Sequence, residues 1–197
     1  MDRTRTELRL AALELFASEG FDRVKAEDIA ERAGVSRRTF FRYFETKEDV
    51  LYIGEHRFFD VFATTFLAFP ASVSDVDAVC ASFAALASRT ERGRDALLLY
   101  RKAISSSAVL RGREQDHVRV DMDLVGRAIA DRHHLAEPDD RCRLLAATAL
   151  TTYRIAFDKW LDGPAQGDLA KVVVNEFALL AEVVQQGPSA GAPFSSD

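Results

Sequence analysis

Apolar residues recur along this chain every three to four positions and almost nowhere alternate, the period of helices that each bury one face. The spacing predicts a first helix from the Thr4-x-x-Glu7 capping box to Gly20, with an inward stripe of Leu8, Ala11, Ala12, Leu15 and Phe16. A second covers about Ala26 to Ala33, Gly34 supplies a sharp turn, Val35 fills the core, and Ser36 caps a third from Arg37 to Phe44. Thr46, with Asp49 three residues later, predicts a fourth helix starting there and running to about Ala68, before Pro70. Further helices are expected over about 75–87, 92–106, 113–133, 139–161 and 168–185. No Asn-Gly or Asp-Gly turn joins two alternating runs, so the expected class is all-α, with about nine helices.

Three domains follow: 1–50 as a helix-turn-helix, 51–186 as a larger ligand-binding and dimerisation domain, and 187–197 as a disordered tail of Gly, Pro, Ser and Ala. No stretch approaches the ~20 apolar residues of a membrane span, and the N-terminus enters a helix without an apolar signal region. Cys80 and Cys142 are far apart and read as thiols in a reducing compartment, so a cytoplasmic location is expected.

The net charge of −5 is awkward for a nucleic-acid binder, and the first fifty residues, with ten Lys/Arg against eleven Asp/Glu, do not reverse it. Ser36 to Lys47 does: Arg37, Arg38, Arg42 and Lys47 face only Glu45. Attraction to phosphate acts over about one Debye length, ~8 Å at physiological salt, so a local patch outweighs the total.

On the third helix Phe40 and Phe44 share a core face, leaving Arg37, Arg38, Phe41 and Arg42 outward, with Thr39 and Tyr43 on the flank. Arginine forks pair with guanine edges, an outward Phe meets thymine methyls, and hydroxyls reach phosphates. Lys47, in the expected first turn of the fourth helix, suits a phosphate. A solvated charged face is the plainer reading of any such octet; the three-helix frame tips the balance to DNA.

These residues carry a resemblance. Ala11-Ala12-Leu13-Glu14-Leu15-Phe16-Ala17, Glu19-Gly20-Phe21, Ile29-Ala30-Glu31-Arg32-Ala33-Gly34-Val35-Ser36, Thr39-Phe40-Phe41-Arg42-Tyr43-Phe44 and Lys47-Glu48 strongly resemble the tetracycline-repressor (TetR) family. The match spans residues 4 to about 52; the remainder matches only in length and helical pattern. The resemblance implies a dimeric repressor in which an effector in the C-terminal domain moves the fourth helix and spreads two reading heads. It implies DNA contacts at Ser36, Arg37, Arg38, Thr39, Phe41, Arg42, Tyr43 and Lys47. Where the family usually has a phosphate-contacting Thr capping the second helix, this chain has Lys25, a cation that can still reach phosphate. Where Arg38 stands, the family often has Gly or Ala, so the operator should differ. The Arg37-to-Phe44 string resembles an actinobacterial subgroup, which implies an acyl-CoA-like ligand.

Beyond the head, Phe62, Phe66, Phe83, Tyr100, Met122 and Tyr153 are candidate walls of an effector pocket, with Arg101 and Arg119 as polar anchors. An aromatic stripe at helical spacing is more often core than pocket. The last two helices are apolar over more than one stripe, so Leu145, Thr152, Val173, Phe177, Leu180 and Val184 are candidates for a homodimer interface in a four-helix bundle. The expected partners are thus double-stranded operator DNA, a second copy and a small-molecule effector, with no membrane. Glu114-x-x-His117 has the spacing of a di-iron helix but no second copy, and reads as a solvated pair. Neither metal nor cofactor is expected. The rival readings are a helical-bundle enzyme or metal protein, and a protein-binding module with a vestigial head.

Overall fold

The computed structural model describes residues 3–52 and 55–185; the expected tail at 187–197 lies outside them. The described residues are all-α. Their helices are α1 (Arg3–Glu19), α2 (Ala26–Arg32), α3 (Arg37–Tyr43), α4 (Glu55–Leu67), α5 (Asp75–Glu91), α6 (Arg94–Ser106), α7 (Ala108–Arg132), α8 (Asp140–Asp162) and α9 (Leu169–Gln185). A 3-10 turn at Phe21–Arg23 links the first two.

Three boundaries depart from the pattern in the sequence. Thr4 lies inside α1 rather than capping it, and Glu7 takes the Arg3 guanidinium at 2.8 Å. α4 begins at Glu55, not at Thr46. The Thr46 N–H does donate to Asp49 Oδ2 (2.8 Å), but the next bonds, Leu51 N–H to Glu48 O and Tyr52 N–H to Asp49 O, close tight three-residue turns. Val50 and Leu51 are buried by those turns, so packing overrides the local start signal. α7 begins five residues earlier than expected, because Leu110 is wholly buried and favours helix ahead of Gly112.

Two compact units divide the chain. The first takes in the chain to Val61 together with Arg92–Leu124; the second takes in Phe62–Glu91 and the chain from Val125 on. In the first, α1 packs against α2, the 3-10 turn and α6, and α2 packs against α3. Leu8, Leu13, Phe16, Ile29, Phe40, Leu51 and Leu110 form its fully buried core. Burying each such side chain is worth ~1.5–3 kcal/mol, which fixes α2 and α3, seven residues each and too short to stand alone.

In the second unit α9 packs on α5 and α8, which also meet each other. Its core holds Phe62, Phe66, Phe83, Leu86, Ile129, Val173 and Phe177. The carbonyls of the turn between α4 and α5 are gathered by Arg132, which donates to Phe69 O and Pro70 O (2.8 Å each) and Val73 O (3.0 Å). Its Nε lies 3.2 Å from Asp75 Oδ1, so a nearly buried cation is fully paired. α7 ends on His134 at φ 57, with Leu135 N–H bonded to Ala130 O, a left-handed cap usually given to glycine. Among the described residues no helix is long and apolar enough to cross a membrane.

Candidate nucleic-acid interface

The turn between α2 and α3 is set by Gly34 at φ 67, a backbone region that costs a side chain ~1–2 kcal/mol. Gly34 N–H donates to Glu31 O (3.0 Å) and Val35 N–H to Ala30 O (2.9 Å), closing α2 and reversing the chain. Ser36 then starts α3: its hydroxyl accepts from Thr39 N–H (3.1 Å) and meets Thr39 Oγ1 at 2.9 Å. α2 itself is capped at Lys25, whose backbone N–H donates to Asp28 Oδ2 at 2.7 Å.

α3 is held from beneath by Phe40 and Phe44, both buried and 5.5 Å apart between ring centroids. At about 100° per residue, Arg42 lies about 180°, Arg38 about 140° and Thr39 about 120° around the helix from that ridge. Phe41 lies about 80° away and Arg37 only about 40°. The side chains follow this wheel. Arg38, Thr39, Phe41 and Arg42 line an open concavity, and Phe41 keeps 44% of its surface exposed. Arg38 makes no ion pair or hydrogen bond among the described residues, and Arg42 lies over the Tyr43 ring at 5.1 Å. Arg37 instead turns back onto Glu27, Nε to Oε1 at 2.6 Å, with its guanidinium 5.3 Å from the centre of the Phe41 ring. Tyr43 is half-buried against the head core.

Lys47 departs from the phosphate reading. Its ammonium donates to Phe21 O (2.7 Å) and Val24 O (2.8 Å) and sits 4.0 Å over the Phe21 ring, because the turns at 45–52 bring it to the end of the 3-10 helix. Lys25 stays exposed at the start of α2, with its ammonium unengaged among the described residues. Two contributors have no motif to mark them. Glu27 fixes Arg37, and Arg5 of α1 stacks its guanidinium 5.6 Å from the Phe44 ring, adding a cation beside α3.

The candidate effector residues fall in both units. Phe62, Phe66, Phe83 and Tyr153 meet in the second unit: Phe62 lies 4.6 Å from Phe83, which stacks on Tyr153 at 4.6 Å. Burial pushes the Tyr153 phenol up to about 12, against a smaller opposing effect from its bond with Thr90. Tyr100, Arg101, Arg119 and Met122 belong to the first unit. There Tyr100 joins the head core and donates to Glu114 Oε2, and Arg119 points outward to Asp116. Glu114 and His117 are thus not a solvated pair: His117 stacks on the Tyr52 ring at 3.7 Å. No group of three or more His, Cys, Asp or Glu among the described residues is arranged to hold a metal.

The candidate dimer residues also separate. Thr152, Val173 and Phe177 are buried within the second unit's own core, Leu145 and Leu180 are half-buried, and Val184 is 66% exposed. The uncovered apolar face of α8 and α9 runs through Leu144 (71% exposed), Ile155, Val174, Leu179 and Val183 instead. Both stripes were apolar, and only packing distinguishes the one turned inward.

Comparison with known proteins bears on this geometry. Residues 8–52 match the family described as bacterial regulatory proteins, tetR family, and residues 73–185 match the MftR C-terminal domain. The chain is 35% identical over 91 residues to the HTH-type transcriptional regulator TcmR of Streptomyces glaucescens, covering 46% of this chain and 40% of that protein. It is 51% identical over 39 residues to the putative mycofactocin biosynthesis transcriptional regulator MftR of Mycobacterium tuberculosis (strain ATCC 25618 / H37Rv), 20% of each chain. The chain thus spans less than half the length of these curated relatives. Its fold is similar to that of Thermus thermophilus FadR, a TetR-family transcriptional repressor solved with lauroyl-CoA. The TM-score is 0.59 and the identity 24%, over 98% of this chain and 100% of that one. Two family matches that together take in both the helix-turn-helix and the C-terminal helices leave one conclusion: the chain belongs to the tetR family of bacterial regulatory proteins and carries a C-terminal domain of the MftR type.

Proposed function

We propose that this chain is a ligand-responsive repressor that binds a palindromic operator as a homodimer and is released by a small apolar or amphipathic effector. One observation carries the reading: the outward face of α3 offers Arg38, Arg42 and a 44%-exposed Phe41 around one concavity, with no carboxylate among the described residues paired to either arginine. A phenylalanine left in water on a surface helix is costly, and a groove lined by thymine methyls removes that cost. Residues 1–50 supply the reading head, and residues 51–186 supply dimerisation and effector binding.

Dimerisation is supported by the exposed apolar face of α8 and α9, since a head of this kind reads half-sites ~34 Å apart and needs a partner copy to do so. For the effector, the rings of Phe62, Phe66, Phe83 and Tyr153 form an apolar wall, and the similarly folded FadR holds lauroyl-CoA, so an acyl-CoA is the first compound to try. The protein acts in the cytoplasm, beside its operator.

A gel shift on DNA upstream of the protein's own gene tests the reading, with long-chain acyl-CoA and simple amphipathic compounds titrated into the complex. A shifted band that an effector dissolves supports it. A protein that retards specific and scrambled duplexes equally contradicts it.

A further inference from the structure

The three arginines of α3 look equivalent in sequence and are not equivalent in space. Arg37 lies about 40° from the buried Phe40–Phe44 ridge, on the side facing α2, and pairs with Glu27 at 2.6 Å at the surface, the two side chains 67% and 49% exposed. Arg38 and Arg42 lie about 140° and 180° from the ridge and share one concavity with Thr39 and Phe41. The arrangement has two independent supports, the helical wheel and the ion pair, and they agree.

We propose that Arg38 and Arg42 are the two guanine-reading residues of each half-site, and that Arg37 is a positioning residue, held by Glu27, that braces the Phe41 ring. The assignment rests on the regulator reading given above. Its dimensions follow from the helix. Residues four apart are separated by about 6 Å along the axis, at about 1.5 Å per residue. Two base-pair steps of about 3.4 Å each cover nearly the same distance. Each half-site therefore specifies two G·C pairs separated by one intervening pair, with the Phe41 ring against a thymine methyl beside them. A bidentate fork discriminates its base by roughly 5- to 150-fold.

The brace has a physical reason. A guanidinium centred 5.3 Å from the Phe41 ring, itself anchored by a carboxylate, limits where that exposed ring can turn. Removing Glu27 releases Arg37 to find phosphate, adding charge contact without adding sequence information.

Selection of preferred duplexes from random DNA by the full-length chain and its variants tests the assignment. Wild type should enrich a palindrome with two specified G·C pairs, one pair apart, in each half. Arg38→Ala should erase one of them and Arg42→Ala the other. Arg38→Lys, which keeps charge and fold but loses the fork, should erase the same position as Arg38→Ala. Arg37→Ala should keep both, while blurring the thymine beside them. Loss of a G·C position in Arg37→Ala, or its retention in both Arg38 variants, overturns the assignment while leaving the regulator reading intact. A wild-type chain that enriches no sequence overturns that reading, and the assignment falls with it.

Discussion

The ammonium of Lys47 donates to the carbonyl oxygen of Phe21 at 2.7 Å while lying 4.0 Å over the centre of the same residue's ring. With a second bond to Val24 O at 2.8 Å, it ties the turn after α3 to the end of the 3-10 helix. A lysine placed by sequence on the DNA side is thereby a clasp within the head. Hydrogen bonds from a charged group are worth ~1.5–3 kcal/mol, so Lys47→Ala should destabilise the head by about 2 kcal/mol. Urea denaturation followed by far-ultraviolet circular dichroism measures this. An unchanged midpoint, with weaker DNA binding at every salt concentration, would instead return Lys47 to the phosphate.

Asp121 on α7 is pushed up to about 7, first by burial and then by the charge of Glu114. In the unfolded chain an aspartate titrates near pH ~3.9. A carboxyl raised on folding stabilises the fold while protonated: its contribution is complete below about pH 4 and is lost as pH rises through about 7. Because the group is only partly withdrawn from water, ~1–2 kcal/mol is the expected size. Asp121→Asn should therefore be more stable than wild type at pH 8 and nearly equal to it at pH 4. Parallel stability curves for the two proteins across that interval would contradict the argument.

His134 holds the left-handed cap of α7 at φ 57. A side chain there is strained by ~1–2 kcal/mol, and glycine is not. His134→Gly should raise the thermal midpoint, by an amount equivalent to ~0.5–1 kcal/mol once the extra freedom of glycine in the unfolded chain is subtracted. A lowered midpoint in calorimetry counts against it.

Exposed and buried residues of α8 and α9 should respond differently. Leu144→Glu or Val183→Glu, both on the uncovered face, should convert a dimer to a folded monomer in sedimentation velocity. Phe177→Ala should cost ~3–5 kcal/mol of stability, since that ring is inside the unit's own core. Monomers from Phe177→Ala alone, with the glutamate variants still dimeric, would place the interface on the opposite stripe.

How much was legible in the sequence can be read from these residues. The helical class, the Gly34 turn, the Ser36 cap and the Phe40–Phe44 ridge follow from local chemistry and period, and the structure has them where the pattern places them, although the starts of α4 and α7 shift. What the pattern hides is anything set by a partner distant in the chain. Lys47 depends on carbonyls 23 and 26 residues away. α4 starts at Glu55 because Val50 and Leu51 are drawn into a core built by other helices. Val173 and Val184 are equally apolar and three turns apart on α9, and nothing in their type says which one α5 and α8 will cover. Arg37 was the intermediate case, since its place on the helical wheel was available while its carboxylate partner on α2 was not.

The outward face of α3 is the centre of the account, and fluorescence anisotropy on a labelled operator duplex tests it directly. Wild type and the Arg38→Ala/Arg42→Ala double variant are titrated against that duplex and a scrambled one at the same salt. Wild type should favour the operator by roughly a thousandfold or more, and the double variant should bind both duplexes alike. A double variant that keeps the wild-type ratio would contradict it.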